Sequence, residues 1–177
     1  MDSKLIRELL WSQFGACIEM LSNCIKTVPD DYFSTHPRAY FITYHTIVFL
    51  DYYSCFPPAA FSTGLAFTQL PPEQCPPNSI GDMVPDKLYS NSEMLEYIDA
   101  IRTKCQLLIN GLTEETLQLR FIEGNEPGDM NYSFLEIFLY NMRHTAHHIG
   151  QLHLLLRQDL NLHAAWVFQE SNDYQGS

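Results

Sequence analysis

Basic charge is scarce in this sequence, and no cluster of it is present. The 177 residues include 10 lysines and arginines against 21 aspartates and glutamates, which gives a formal net charge of −11. A field of that sign repels the phosphate backbone of nucleic acids and the headgroups of anionic membranes. We therefore expect neither nucleic acid nor a membrane among its partners.

Long apolar runs and paired cysteines are missing as well. No stretch of about 18 consecutive apolar residues is present that could cross a bilayer, and the N-terminal residues resemble neither a signal peptide nor a transit peptide. The five cysteines are scattered and never form a Cys-X-X-Cys pair. Unpaired cysteines without an export signal are typical of reduced, intracellular proteins, so the sequence predicts a cytoplasmic location.

Apolar and aromatic residues, in contrast, are plentiful. Hydrophobic residues make up 46% of the chain and aromatic residues 13%, which is too much for a disordered protein. A chain of this length can bury a core of its own without disulfides. We predict a single domain over residues 1–177.

Four segments show the apolar spacing of helices, and none shows the sustained alternation of a strand. Prolines follow the first two segments, where a helix should end. Ser90 with Glu93, and Ser133 with Glu136, have the spacing of capping boxes at the start of the last two. The predicted helices run approximately over 4–27, 37–54, 92–112 and 134–157. Four helices of this length predict an all-α fold, a four-helix bundle.

Residues 55–90 form a long connector between the second and third predicted helices. It contains seven of the ten prolines, a density that excludes a helix interior or a central strand. A connection of this length allows the second and third helices to run parallel. At the other end, residues 160–177 are predicted to form a tail, with Trp166 and Phe168 packed back on the bundle.

Histidines are concentrated in the fourth predicted helix. Four of the seven lie in the ten-residue segment HTAHHIGQLH, 144–153. At about 100° per residue, His144 and His148 fall on the inward apolar stripe, whereas His147 and His153 fall outside it. Two histidines four residues apart on one helix can chelate a metal ion. The alternative is two buried histidines that are hydrogen-bonded to other side chains.

His45, on the second predicted helix, offers a third ligand. Three neutral imidazoles leave positions open for water or substrate, a feature of catalytic rather than structural metal sites. Thr145 stands where the metalloprotease motif HExxH requires glutamate, so this is not a protease motif. The donor set suits zinc or nickel first, with iron, manganese or copper as alternatives.

Four further residues are candidates for the pocket around such an ion. Tyr52 follows His45 by seven residues, and Asn141 and Gln151 flank the paired histidines on the fourth helix. We interpret these three as packing residues, as partners that orient the ligands, or as substrate contacts. His147 is a candidate proton shuttle.

The string His144-Thr-Ala-His-His148-Ile-Gly-Gln151, with a histidine on the second helix and a long connector after it, resembles the DinB-like (DinB/YfiT) superfamily. The resemblance covers roughly residues 1–160. It implies a four-helix bundle in up-down-down-up order, frequent homodimers, and a divalent ion held by three histidines, here His45, His144 and His148. Similar proteins include transferases that use low-molecular-weight thiols and metal-dependent hydrolases.

Three functional hypotheses remain open at this point. The first is a metal-dependent enzyme of the thiol-transferase or hydrolase type. The second is a non-catalytic protein in which the ion fastens the second helix to the fourth or assists small-molecule sensing. The third is a redox protein based on Cys17, Cys24 or Cys105, although cysteines on apolar stripes usually behave as small hydrophobic residues.

Overall fold

The computed structural model describes residues 3–171 and is mostly helical. Five helices are present in this part of the chain, joined by segments that contain short 3₁₀ turns and two small β-ladders. The helices are α1 (Ser3–Thr27), α2 (Tyr32–Thr35), α3 (Pro37–Tyr52), α4 (Asn91–Asn110) and α5 (Phe134–Leu160). The long helices lie where the apolar spacing predicts them, within three residues at each end.

The first residues of α4 and α5 contain the capping boxes from which the sequence predicts where these helices begin. The Ser90 hydroxyl accepts a hydrogen bond from the Glu93 N–H at 3.3 Å, and the Glu93 carboxylate accepts one from the Ser90 N–H at 2.8 Å. Ser133 and Glu136 form the same reciprocal pair at the start of α5. Both predicted capping boxes are confirmed. At its other end α5 continues to Leu160 rather than stopping at residue 157, because the first terminating conformation is the left-handed Asn161.

The expectation of an all-α fold is wrong in one respect, because two antiparallel ladders are present. Strands β1 (Phe67–Gln69) and β2 (Met83–Pro85) pair inside the connector, and β3 (Arg120–Ile122) pairs with β4 (Asn131–Ser133) before α5. Each strand has three residues, which is too short for alternation to be visible in the sequence.

The core lies between the four long helices. Helix α1 packs against α4 and α5, and α3 packs against α5 and α4. Fully buried side chains come from each of them, including Phe14, Leu21, Ile47, Ile98, Phe138 and Leu152. Burial of each such side chain contributes about 1.5–3 kcal/mol to folding. None of the helices in the described part of the chain is both long and apolar enough to span a membrane.

A buried carboxylate joins α3 to α4. Asp51, 6% exposed, accepts hydrogen bonds from the ammonium group of Lys104 and from the hydroxyl of Tyr97. Lys104 also donates to the backbone carbonyl of Asp51 at 3.1 Å. A buried charge without such partners would be strongly destabilising, so these contacts fix where the end of α3 meets α4.

The chain after α5 runs back along α1, but not through the aromatic residues expected to hold it. Trp166 is 63% exposed and Phe168 is 84% exposed, so the prediction that they pack on the helices is wrong for Phe168, while Trp166 makes only an edge contact with the His153 ring at 6.4 Å. The segment is held by the smaller side chains of Ala164 and Val167 on the core. Polar contacts add to this: the Glu170 N–H donates to the Ser12 carbonyl at 2.8 Å, and the Glu170 carboxylate pairs with Arg102 at 2.8 Å. Residues 172–177 of the predicted tail lie outside the described residues.

Gly15 permits this close approach, and its replacement should weaken it. A Cβ at position 15 would lie 2.8 Å from Cγ of Glu170 and 3.1 Å from the Trp11 ring. We expect Gly15→Ala to lower the free energy of unfolding by about 1–2 kcal/mol, since the C-terminal segment must shift. Chemical denaturation measures the loss, and limited proteolysis should show faster cleavage within residues 161–171.

Gly150→Ala is the matched control. A Cβ there meets nothing within 4 Å, so the substitution should stabilise the helix by about 0.5–1 kcal/mol. Equal stability changes in the two variants would contradict the steric role of Gly15.

Candidate metal centre

Three histidine rings from two helices converge at one point. Nε2 of His144 lies 3.1 Å from Nε2 of His45 and 3.2 Å from Nε2 of His148. His144 and His148 share one face of α5 because they are four residues apart, and that face packs on α3, which carries His45. The structure therefore brings together the three residues predicted as metal ligands, with ring nitrogens all within 4.8 Å of one another.

Hydrogen bonding between the rings does not account for this arrangement. Nε2 of a neutral imidazole holds either one hydrogen or one lone pair, yet Nε2 of His144 faces two other ring nitrogens. At most one of its two contacts can be a well-formed hydrogen bond. A cation between the rings would accept a lone pair from each nitrogen.

The separations fit such an ion. Two nitrogens that bind one zinc ion at about 2.0–2.1 Å each can be at most about 4.2 Å apart, and the distances of 3.1 and 3.2 Å fall within that limit. No carboxylate or thiolate belongs to the cluster in the described residues. The donors are thus three neutral nitrogens, which suit zinc, nickel, copper or iron.

Contacts at the far side of the rings set two of the tautomers. Nδ1 of His148 lies 2.7 Å from the side-chain oxygen of Gln151, so Nδ1 donates and Nε2 keeps its lone pair toward the cluster. Burial lowers the pKa of His45, and a hydrogen bond to the backbone of Ile80 partly opposes that effect. Both contacts orient a ring in the way that metal-binding histidines require.

His144 differs, since its Nδ1 is buried and has no hydrogen-bond partner in the described structure. The ring is enclosed by Tyr140, which stacks on it at 6.2 Å, and by Tyr53, whose ring meets it edge-on at 5.6 Å. Nδ1 of His144 is unpaired whichever nitrogen carries the hydrogen, and an ion on Nε2 would not change that. The orphaned nitrogen is therefore compatible with metal binding.

The three rings are neutral near pH 7. Burial, together with the neighbouring imidazoles, lowers the pKa of His45 to about 3 and that of His144 to about 4. Burial also lowers the pKa of His148. A metal ligand has to be deprotonated, and these surroundings keep all three lone pairs available.

The other predicted pocket residues occupy different positions. Gln151 contacts a ligand directly, as described above. Tyr52 has its ring against Phe49 at 5.9 Å, and its hydroxyl donates to Glu123 at 2.9 Å, so it lies beside the cluster without bonding to a histidine. His147 is exposed, with its ring 5.0 Å from that of His148.

Asn141 joins α5 to the end of α3 and forms no hydrogen bond with a histidine ring. It is fully buried, and its side-chain nitrogen donates to the Leu50 carbonyl at 2.9 Å and to the Ser54 hydroxyl at 3.2 Å. The Thr145 hydroxyl donates to its side-chain oxygen at 3.4 Å. Asn141 thereby sets the position of α5 on α3 below the histidines.

The aromatic residues around the cluster were not predicted. Phe49 lies 4.5 Å from the His45 ring and 5.8 Å from the His144 ring. Phe49 follows His45 by four residues and Tyr140 precedes His144 by four, so the helical spacing that paired the histidines could have found both. No sequence spacing could have predicted the hydrogen bond between the Ile80 backbone and His45, because it depends on the path of the connector.

Comparison with known proteins identifies no family for the chain. No protein-family model, curated protein or solved structure matches the chain. The chemistry of the histidine cluster therefore has to be inferred from its own residues.

Proposed function

We propose that the chain binds one divalent transition-metal ion through His45, His144 and His148 and acts as a metal-dependent enzyme of the DinB-like type. The observation that carries the proposal is the convergence of three neutral ring nitrogens at 3.1 and 3.2 Å, which hydrogen bonding between the rings cannot satisfy. Zinc and nickel are the leading ions, with iron, manganese and copper as alternatives.

The proposal includes a four-helix bundle in up-down-down-up order, which the contacts between α1 and α5 support. Phe14 meets Phe138 with ring centroids 5.6 Å apart, and the Cys17 thiol lies 3.8 Å from the Met142 carbonyl. From the first contact to the second, the residue number increases on both helices, so α1 and α5 run in the same direction.

The remaining pairs support the same order. His45 lies against His148 and Ser54 against Asn141, so α3 and α5 run in opposite directions. Helices α1 and α4 are also antiparallel. Glu19 pairs with Arg102 at 3.5 Å, whereas Val28, further along the chain, accepts a hydrogen bond at 3.4 Å from Asn91, which precedes Arg102. Helices α3 and α4 then run parallel, which the long connector permits.

When bound, a divalent ion on three neutral ligands supplies a Lewis acid that lowers the pKa of a water or thiol held on it. The chain contributes the fixed geometry around that position. Gln151 orients His148, the Ile80 backbone orients His45, and the rings of Phe49, Tyr53 and Tyr140 cover one side of the half-buried His144 ring. Apolar surroundings of low dielectric constant strengthen electrostatic interactions at the site.

We propose a small molecule as the substrate, either a thiol in a transfer reaction or a hydrolysable compound. The net charge of −11 argues against nucleic acid. The five cysteines are all unpaired, which supports a cytoplasmic location. A homodimer is part of the proposal through the family resemblance alone.

A redox role for the cysteines has no support in the structure. Burial raises the pKa of Cys17 to about 11 and those of Cys24 and Cys105 to about 12. Reactive cysteines have a lowered pKa and an accessible thiolate, so these three side chains are packing residues.

Metal content tests the proposal directly. Purified protein should hold close to one divalent transition-metal ion per chain by elemental analysis, and His148→Ala should hold almost none, since two nitrogens bind far more weakly than three. His147→Ala, which changes the adjacent exposed histidine, should match the unaltered protein. Equal metal content in all three proteins would remove the α5 pair from consideration.

Gln151 provides a test of how the site is oriented. We expect Gln151→Leu to lower metal affinity by about tenfold to a hundredfold, because Nδ1 of His148 loses its acceptor. Gln151→Glu keeps an acceptor and should retain most of the affinity. Competition with a chromophoric chelator measures both; full affinity in the leucine variant would show that the contact is incidental.

Chelation distinguishes the proposed enzyme from the non-catalytic alternative. The position of the three histidines on α3 and α5 also fits that alternative, in which the ion only fastens the two helices. For an enzyme, turnover of a panel of thiol and ester substrates should be lost with EDTA and restored by adding zinc or nickel. A protein in which the ion only fastens the helices would show no turnover with any substrate. Its melting temperature would fall sharply on chelation, because the binding free energy of such an ion is folding free energy.

A further inference from the structure

A groove on a different face of α5 from the histidine cluster has no assigned role. It lies between α1, α5 and the C-terminal segment, and its volume of about 670 Å³ is typical of small-molecule sites. Apolar side chains from both helices form its floor: Ala16 and Met20 from α1, and Met142, Ala146 and Ile149 from α5. None of the three clustered histidines lines it.

The C-terminal segment supplies the remaining wall. Trp166 and Phe168 border the groove although they are 63% and 84% exposed. Large exposed aromatic residues beside an apolar surface mark interaction sites more often than isolated exposed leucines do. Methionines such as Met20 and Met142 adapt to ligands of different shape. Gly150 opens the floor further, since a Cβ built there meets nothing within 4 Å.

One charged side chain lines this apolar groove, and it is a cation. Arg143 has its guanidinium 5.2 Å from the Tyr140 ring centre, and it forms no ion pair with a carboxylate among the described residues. It also borders a second, smaller cavity together with Tyr140 and Glu136. A guanidinium presents parallel N–H donors that match a carboxylate.

We propose that the groove binds a small amphiphilic carboxylate, with its apolar body over Met20, Met142 and Ile149 and its anionic head on Arg143. The combination of an apolar floor, exposed aromatic residues and one unpaired guanidinium fits this chemistry better than it fits a neutral ligand or a cation. None of the three proposed metal ligands lines the groove. The proposal therefore does not rest on metal binding.

Octanoate and 1-octanol are suitable probes, because they share an alkyl chain and differ in the head group. By isothermal titration calorimetry, we expect octanoate to bind about tenfold more tightly than octanol, since a hydrogen-bonded charge adds to the apolar contact. Arg143→Gln should remove that difference. Arg157→Gln, which changes an arginine of α5 that contacts His163 instead of the groove, should keep it.

Two further measurements locate the ligand. Gly150→Leu fills the open floor and should weaken both probes by at least about tenfold, while its thermal unfolding shows whether it remains folded. Octanoate should shift the fluorescence of exposed Trp166 to shorter wavelength. That shift should be absent in Trp166→Phe, because the other tryptophan, Trp11, is buried.

Three outcomes would overturn the proposal. Equal affinity of the unaltered protein for octanoate and octanol would remove the role of Arg143, and binding of neither would remove the site. A dimer by sedimentation that Gly150→Leu converts to monomer would show that a second copy of the chain occupies the groove.

Discussion

Asn141 lies where α3 and α5 meet, and the position of the histidine cluster depends on that contact. Its amide donates hydrogen bonds to a backbone carbonyl of α3, at Leu50, and to the hydroxyl of Ser54, and it is fully buried. A buried polar group left unpaired costs about 1–3 kcal/mol, so sliding one helix along the other is opposed at this point. His45 and the pair on α5 lie just beyond the contact, and the same constraint holds their nitrogens close together.

The helices were predictable because their signals are local. Capping boxes, prolines and apolar spacing act within one or two turns, and the structure contains the corresponding contacts at Ser90 and Ser133. The pairing of His144 with His148 was predictable for the same reason. The ladders within the connector and before α5 were not, because three-residue strands are set by the path of the loops rather than by their own composition.

Two examples show what residue type alone leaves open. Trp166 and Phe168 were expected to pack on the helices because they are large and apolar, yet backbone and charge contacts at Glu170 hold their segment to α1. Asn141 was a candidate either for packing or for the pocket by its spacing from His144, and its hydrogen bonds join two helices. In both cases long-range contacts, which a single sequence does not reveal, decide where the side chain lies.

Charge on this molecule has to be considered locally. The net charge of −11 disfavours anionic ligands on average, but exposed charges are largely screened beyond about 8 Å at physiological ionic strength. The histidine cluster contains no carboxylate, so an ion bound there keeps its full positive charge for a thiolate or hydroxide. At Arg143 the guanidinium lies over the Tyr140 ring and forms no ion pair among the described residues, and Glu136 borders the same small cavity. The acidic surface therefore leaves two positions at which α5 can present a positive charge to a small anion.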